Sequence, residues 1–384
     1  MRASTPLRTA LIGLVLAATA LIPIQGTALA AQTETAETAT TPAPSVFTTA
    51  DATARTLAGS LADPAWNRQV RTALLAAESV ELSTLTRGST TAAGQRLAAG
   101  VASADRSVAT AKGLGDEAGS LLRVGLADAS MKARLAGGAA PLVAATPSDD
   151  DASTFTAYDS RGAAHVLPLD TIPDRPVYLV DIDGAKAVTE GLAIVDAALA
   201  KAGLDVPVPA AEVRAVAPSA TTGIDTTLIN SVRVSDVKEP WIKGDAEIFT
   251  LVTGFGKDGK PRVDTVEMPY LDKDATTYYP NQVLVNWSNY KYDLADAVMM
   301  EDDGDTNYQA LAKAIVAVLL TITDQGAYIP LADALLDAIP TSWWTDDPDY
   351  VDSWYTLAKT SSGTRNGAAA NGWMNVSPYY VSEL

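Results

Sequence analysis

Cysteine is absent from this chain of 384 residues, and histidine occurs once, as His165. Without cysteine there is no disulfide bond, no thiol nucleophile, no thiolate-bound zinc and no lipid anchor on cysteine. A single histidine excludes a histidine-rich metal site and leaves only His165 for a Ser-His-Asp triad. Because the residues around it, AAHVLPLD, alternate like a strand, we interpret His165 as a structural residue.

Basic residues are also scarce. The chain has 28 lysines and arginines against 46 aspartates and glutamates, which gives a net charge of -18. A field of that sign repels nucleic acid and anionic membranes, so neither is expected as a partner. A charge of this size suits an exported protein that stays soluble, or one that recruits cations.

The N-terminal segment has the pattern of a cleaved signal peptide. Arg2 and Arg8 precede an apolar stretch, Ala10 to Ile24, which is short and is interrupted by Pro23. The residues ALA at 28–30 fit the small-x-small cleavage rule. We therefore expect residues 1–30 to be removed, the protein to be secreted, and no membrane span to remain. An uncleaved signal anchor is the alternative.

The next part of the chain divides by composition into three segments. Residues 31–46 are rich in Thr, Ala, Glu and Pro, which predicts a disordered leader. Residues 47–139 show helical spacing and predict a helical module, with Asp63 and Pro64 as a helix start. Residues 140–223 mix short apolar runs, one helical pattern and a proline-rich stretch. They predict a small α/β segment followed by a linker.

Residues 224–384 predict an acidic antiparallel β-sandwich with an inserted helical hairpin. Alternating runs on both sides of Asp258 and Gly259 are the strongest hairpin signal in the chain. The patterns ALAKAIVAVLLTIT and PLADALLDAI predict the two inserted helices. The fold class is therefore α+β, with a helical N-terminal module, a small α/β segment and this sandwich.

The stretch MMEDDGDTNY carries four carboxylates within five residues, at Glu301, Asp302, Asp303 and Asp305. Such a loop suits calcium, which takes about six to eight oxygen ligands. It is not an EF-hand, because Tyr308 stands where that pattern requires glycine. The alternative is the start of a helix, since Thr306 and Gln309 have the spacing of a capping box.

Further acidic clusters precede a predicted strand and follow the predicted helical hairpin. If the hairpin projects from one end of the sandwich, the cluster at 301–305 and the cluster that follows the hairpin flank its base. These two clusters would then converge on one edge, where they repel each other and take up protons or a cation. The sequence thus predicts a calcium site, with ligands from Asp245, Glu247, Glu301, Asp302, Asp303, Asp305, Asp346, Asp347 and Asp349. Separate, solvated clusters are the alternative.

Tryptophan is concentrated in the C-terminal half, which holds six of the seven residues of this type. Aromatic residues beside carboxylates can form a sugar-binding surface or a glycosidase cleft, for which Glu247 and Glu301 are the candidate acid pair. The alternative is that the tryptophans fill the core of the sandwich.

Several stretches resemble a family of exported bacterial proteins of unknown function, from about Leu57 to Tyr380. They are PLVAATPSDDD, FTAYDSRGAAHVLPLD, RPVYLVDID, VKEPWIKGDAEIFTLVTG and MMEDDGDTNY, with EPWIKGDAEI the most specific block. The alanine-rich composition is similar to that of actinobacterial proteins. The resemblance implies export, a helical N-terminal part, a short β segment and an acidic C-terminal sandwich, but no catalytic residues.

These features predict an exported, non-enzymatic binding or structural protein that is stabilised by calcium and has an extracellular or cell-envelope ligand. A carbohydrate-active hydrolase using paired carboxylates is the first alternative. A structural or inhibitory protein that holds a protein partner through its helical module is the second.

Overall fold

A computed structural model describes residues 45–149, 152–204, 223–237, 242–243, 246–302, 304, 306–339 and 350–382. Over these residues the protein mixes eight α-helices with three sheets, and most strand pairs are antiparallel. The predicted α+β class is confirmed at this level.

Five helices and two short strands come first along the chain. The helices are α1 (Val46–Ser60), α2 (Pro64–Ala76), α3 (Leu82–Arg87), α4 (Ala92–Ala111) and α5 (Lys132–Ala136), and the strands are β1 (Ser79–Glu81) and β2 (Leu122–Leu126). Asp63 caps α2 as predicted, because its carboxylate accepts hydrogen bonds from the N–H groups of Ala65 and Trp66. The two strands were not predicted, and both belong to the first sheet.

The first sheet has six strands in the order β1-β2-β6-β3-β4-β5. The other members are β3 (Leu142–Ala145), β4 (Thr154–Tyr158), β5 (Ala164–Pro168) and β6 (Val177–Ile182), which is followed by α6 (Gly184–Ala202). Strands β3 and β6 are parallel, so their carboxyl ends lie at the same edge. His165 lies on β5, with Nε2 3.3 Å from Asp159 Oδ2.

The other two sheets come from the C-terminal part of the chain. The second joins β7 (Gly223–Val234), β10 (Thr277–Tyr278), β11 (Gln282–Asn286), β14 (Gly363–Asn366) and β15 (Gly372–Ser382). The third has the order β13-β12-β8-β9, from β8 (Ile248–Phe255), β9 (Pro261–Glu267), β12 (Leu294–Glu301) and β13 (Tyr350–Ala358). The predicted hairpin is confirmed: β8 and β9 pair antiparallel, and Gly259 between them has φ +78°.

Helices α7 (Tyr308–Leu319) and α8 (Ala332–Ala338) lie between β12 and β13 in the chain. The residue that caps α7 is Asn307, whose side chain accepts a hydrogen bond from the Ala310 N–H at 3.0 Å. The capping-box alternative correctly predicted that a helix starts here. It made Thr306 the N-cap, however, whereas the N-cap is the next residue, Asn307.

One core cluster joins residues that are far apart in the sequence, including Leu57 of α1, Val180 of β6, Leu251 of β8 and Leu311 of α7. A second cluster joins residues of the second and third sheets and includes the buried Trp287 and Trp354. The described residues belong to one compact unit. The predicted segment boundaries at 139/140 and 223/224 stay predictions from the sequence.

No helix in the described part of the chain is both long and apolar enough to cross a bilayer.

Candidate functional site

A pocket of about 70 Å³ opens where the carboxyl ends of β3 and β6 meet the starts of α1 and α6. We call it the acidic pocket, and its polar lining includes Thr146, Asp181, Lys243, Glu247 and Asp302. Crevices at the carboxyl ends of parallel strands are common ligand sites in α/β sheets. The pocket has room for a hydrated ion or a few water molecules.

Strand pairing brings two of the predicted acidic clusters together at this pocket. Strand β8 runs antiparallel to β12, which places Ile248 opposite Glu301. The Asp302 N–H then donates to the carbonyl oxygen of Glu247 at 3.1 Å. The described members of these clusters, Glu247, Glu301 and Asp302, are therefore neighbours.

A buried lysine neutralises part of this charge. Lys112 Nζ lies 2.9 Å from Asp302 Oδ1, and both side chains are fully buried. Lys112 follows α4, and its carbonyl oxygen accepts a hydrogen bond from the Tyr308 N–H at 2.9 Å. The Asn307 side chain donates to the Ala111 carbonyl at 2.7 Å. The end of α4 is thus joined to the start of α7, and this junction holds the ammonium group against the carboxylate.

Only one oxygen of Asp302 is used in this ion pair. The other, Oδ2, is buried and has no hydrogen-bond partner among the described residues. Burial raises the pKa of Asp302, while Lys112 and the nearby hydroxyls of Thr306 and Tyr308 oppose that rise. A buried carboxylate oxygen without a partner costs free energy unless water or a ligand completes its coordination.

Asp181 is the second distinctive carboxyl of the acidic pocket, at the end of β6. Its burial raises the pKa to about 6, against the lowering effects of the Ile182 N–H, the Thr146 hydroxyl, Lys243 and Lys112. The Ile182 N–H donates to Asp181 Oδ1 at 2.7 Å. A carboxyl with a strongly raised pKa in a pocket is a frequent property of functional sites.

Glu247 reaches the pocket through a gap that glycine leaves. Gly184 is the first residue of α6, and a Cβ at that position would overlap the Glu247 carboxylate. The carboxylate therefore lies against the first turn of a 19-residue helix, where the helix dipole favours negative charge. In the same way, Gly191 leaves room for the ring of Tyr308. Burial and the charges of Asp302, Glu301 and Glu247 raise the pKa of Tyr308 well above its usual value.

The remaining predicted ligands, Asp245, Asp303, Asp305, Asp346, Asp347 and Asp349, lie outside the described residues. Over the described part of the chain, no group of three or more His, Cys, Asp or Glu residues is arranged to hold a metal ion. Asp352, which belongs in the sequence to the acidic cluster after the helical hairpin, has a structural role. Its carboxylate accepts hydrogen bonds from the N–H groups of Ala369, Asn371 and Gly372 at the β14–β15 turn.

The acid pair considered for glycoside hydrolysis has an unfavourable geometry for a polymer. Glu301 is fully buried, whereas Glu247 lines the acidic pocket. Trp287 and Trp354 are buried in the core, and their indole N–H groups donate to Thr227 Oγ1 and the Arg365 carbonyl. These two tryptophans therefore form no sugar-binding surface.

Sequence reasoning missed Asp181 and Lys112. A signal for Asp181 was present, because VYLVDID ends a buried strand with acidic residues just before a helix. Nothing around Lys112, in ATAKGLG, distinguishes it from a solvated lysine at a helix end.

Comparison with known proteins identifies a family to which the chain belongs, but no individual curated protein or solved structure that it resembles. Residues 54–383 match the family described as "Protein of unknown function (DUF3103)". No curated protein and no solved structure matches the chain. The match confirms the resemblance to a family of unknown function, while bacterial origin and export stay predictions. Since the matched region is most of its length, the chain belongs to the DUF3103 family.

Proposed function

We propose that this protein is an exported, non-enzymatic binding protein whose acidic pocket takes a small cation, with calcium as the first candidate. In this proposal the C-terminal part is an antiparallel sandwich with the α7–α8 hairpin inserted between β12 and β13. The signal-like N-terminus, which lies outside the described residues, directs the chain to the cell envelope or the medium.

The observation that carries the proposal is the carboxylate of Asp302. Its Oδ2 atom is buried, has no hydrogen-bond partner among the described residues and belongs to a side chain that lines the pocket. The hydroxyls of Thr306 and Tyr308 lie nearby and oppose the rise that burial causes in its pKa, and a cation or its bound water would complete its coordination. The ammonium group of Lys112 lies against the other oxygen, Oδ1.

The balance of charge at the pocket favours a cation as well. Asp181, Glu247 and Asp302 line the pocket with three carboxyls, against the ammonium group of Lys243 in the lining and that of Lys112, which pairs with Asp302. With all groups ionised, the difference is a surplus of one negative charge. The whole chain, at -18, adds a long-range attraction for cations.

Calcium would bind here partly through its own water molecules. The described carboxylates do not form a group of three around one point, and calcium commonly keeps waters among its ligands. The neighbouring Asp303 and Asp305 are further candidate ligands from the sequence.

The proposal predicts that calcium raises the melting temperature of the protein. At a calcium concentration of about 100 times Kd, binding adds about 2.7 kcal/mol to the free energy of unfolding. We expect a rise of several degrees in a scanning-calorimetry melt with calcium chloride, reversed by a chelator. Glu247→Gln should remove most of the rise.

The matched control is Asp174→Asn. Asp174 pairs with Arg134 at the surface, and its side chain is 97% exposed. This variant loses the same charge at the exposed surface, outside the acidic pocket, and should keep the full response to calcium. A melting temperature that is the same with calcium and with chelator would contradict the proposal.

A further inference from the structure

A second surface of the protein has the composition of a ligand site and lies outside the acidic pocket. It is a groove of about 700 Å³ beside β9, β10 and β11. We call it the tyrosine groove; its lining includes Glu267, Tyr270, Tyr278, Tyr279 and Gln282. Tyr279 is 73% exposed, which is unusual for so large an apolar ring.

Hydrogen bonds join three of the residues that line the groove. Tyr270 Oη donates to Gln282 Oε1 at 2.6 Å, and Gln282 Nε2 donates to the Glu267 carbonyl at 2.8 Å. The rings of Tyr270 and Tyr278 lie with centroids 6.0 Å apart. Because these side chains are already fixed, a ligand would lose little free energy in ordering them.

Polar groups stand at the edge of this aromatic surface. The Glu267 carboxylate is held from α6, where Thr189 Oγ1 donates to Oε2 at 2.9 Å. The Gln282 amide is fixed by its two hydrogen bonds. A carboxylate and an amide beside exposed rings can hydrogen-bond hydroxyl groups while an apolar ligand face stacks on the rings.

We propose that the tyrosine groove binds a short, neutral oligosaccharide. A pyranose ring offers an apolar face to Tyr279 and hydroxyl donors to Glu267 and Gln282. A proline-rich peptide also stacks on tyrosines, but proline has no N–H to donate and would add no hydrogen bond to the Glu267 carboxylate. The negative charge of the chain disfavours nucleic acid.

The test titrates neutral hexasaccharides of glucose, xylose, mannose and N-acetylglucosamine into the purified full chain by calorimetry. At least one should bind, and Tyr279→Ala should weaken its binding about tenfold or more. The matched control is Tyr379→Ala on β15, where the ring is 52% exposed; it should bind like the parent. Glu247→Gln should also bind like the parent, which separates this site from the acidic pocket.

Three results would overturn the inference. One is that no hexasaccharide binds the parent protein. Another is that Tyr279→Ala and Tyr379→Ala bind the sugar equally well. The third is that a decaproline peptide, and no hexasaccharide, binds in a way that depends on Tyr279, since the groove would then be a peptide site.

Discussion

Replacing Lys112 by methionine is expected to lower the free energy of unfolding by about 3–5 kcal/mol at pH 7. Lys112 and Asp302 are both fully buried, with Nζ 2.9 Å from Oδ1. Methionine keeps most of the volume but leaves the Asp302 carboxylate buried without its counter-charge, and this is the main cost. Denaturation by guanidinium, followed by tryptophan fluorescence, measures the change.

Two further variants separate the buried charge from a loss of packing. Adding Asp302→Leu to Lys112→Met removes the stranded charge and should restore part of the stability. Arg134→Met breaks a surface pair with Asp174 and should cost less than about 1 kcal/mol. A Lys112→Met protein as stable as the parent would show that the ion pair does not hold α4 to the acidic pocket.

Replacing Asp181 by asparagine is expected to stabilise the protein at pH 7.5, by about 1–3 kcal/mol. Burial raises the pKa of Asp181 from 3.8 to about 6. The folded protein therefore holds this proton more tightly than the unfolded chain does. The stability that the proton confers is complete below about pH 4, is lost as the pH rises to about 6, and stays lost above. Asparagine does not ionise, so the variant avoids that loss.

The pH profile is the signature of this effect. Unfolding free energies of the parent and of Asp181→Asn should differ most at pH 7.5 and should converge toward pH 4. Asp174→Asn, with its exposed side chain, should follow the parent throughout. A variant that is less stable than the parent at pH 7.5 would mean that the attraction of Lys243 and Lys112 for the carboxylate outweighs its burial.

A stabilising substitution at Asp181 would also bear on function. Residues that cost stability in the folded state are common at functional sites, where activity depends on them. We expect Asp181→Asn to be more stable and to bind calcium less well than the parent, because it removes one carboxyl from the acidic pocket. Measurement of both properties on the same protein checks this trade-off.

Much of the local structure could be predicted because its causes are local. Asp63 with Pro64, the left-handed Gly203 and the turn at Gly259 each act on a few neighbouring residues. The short strands β1 and β2 were missed, since three to five residues carry too little periodicity to indicate a strand.

The candidate site could be predicted only in part. An antiparallel β8–β12 pair brings Glu247 beside Glu301 and Asp302, whereas the order of the elements led us to expect convergence of the two clusters on either side of the helical hairpin. Lys112 lies 190 positions from Asp302 in the chain, so no local pattern links them. The sequence therefore suggested that a bound cation neutralises these carboxylates, whereas in the structure Lys112 supplies part of the positive charge.

Calorimetric titration of calcium chloride into the protein measures whether the surplus carboxylates of the acidic pocket bind a cation. The parent and Asp174→Asn should each show one saturable binding event, and the Asp181→Asn/Glu247→Gln double variant should lose it. A parent protein that releases no binding heat, or a double variant that binds calcium like the parent, would contradict the account.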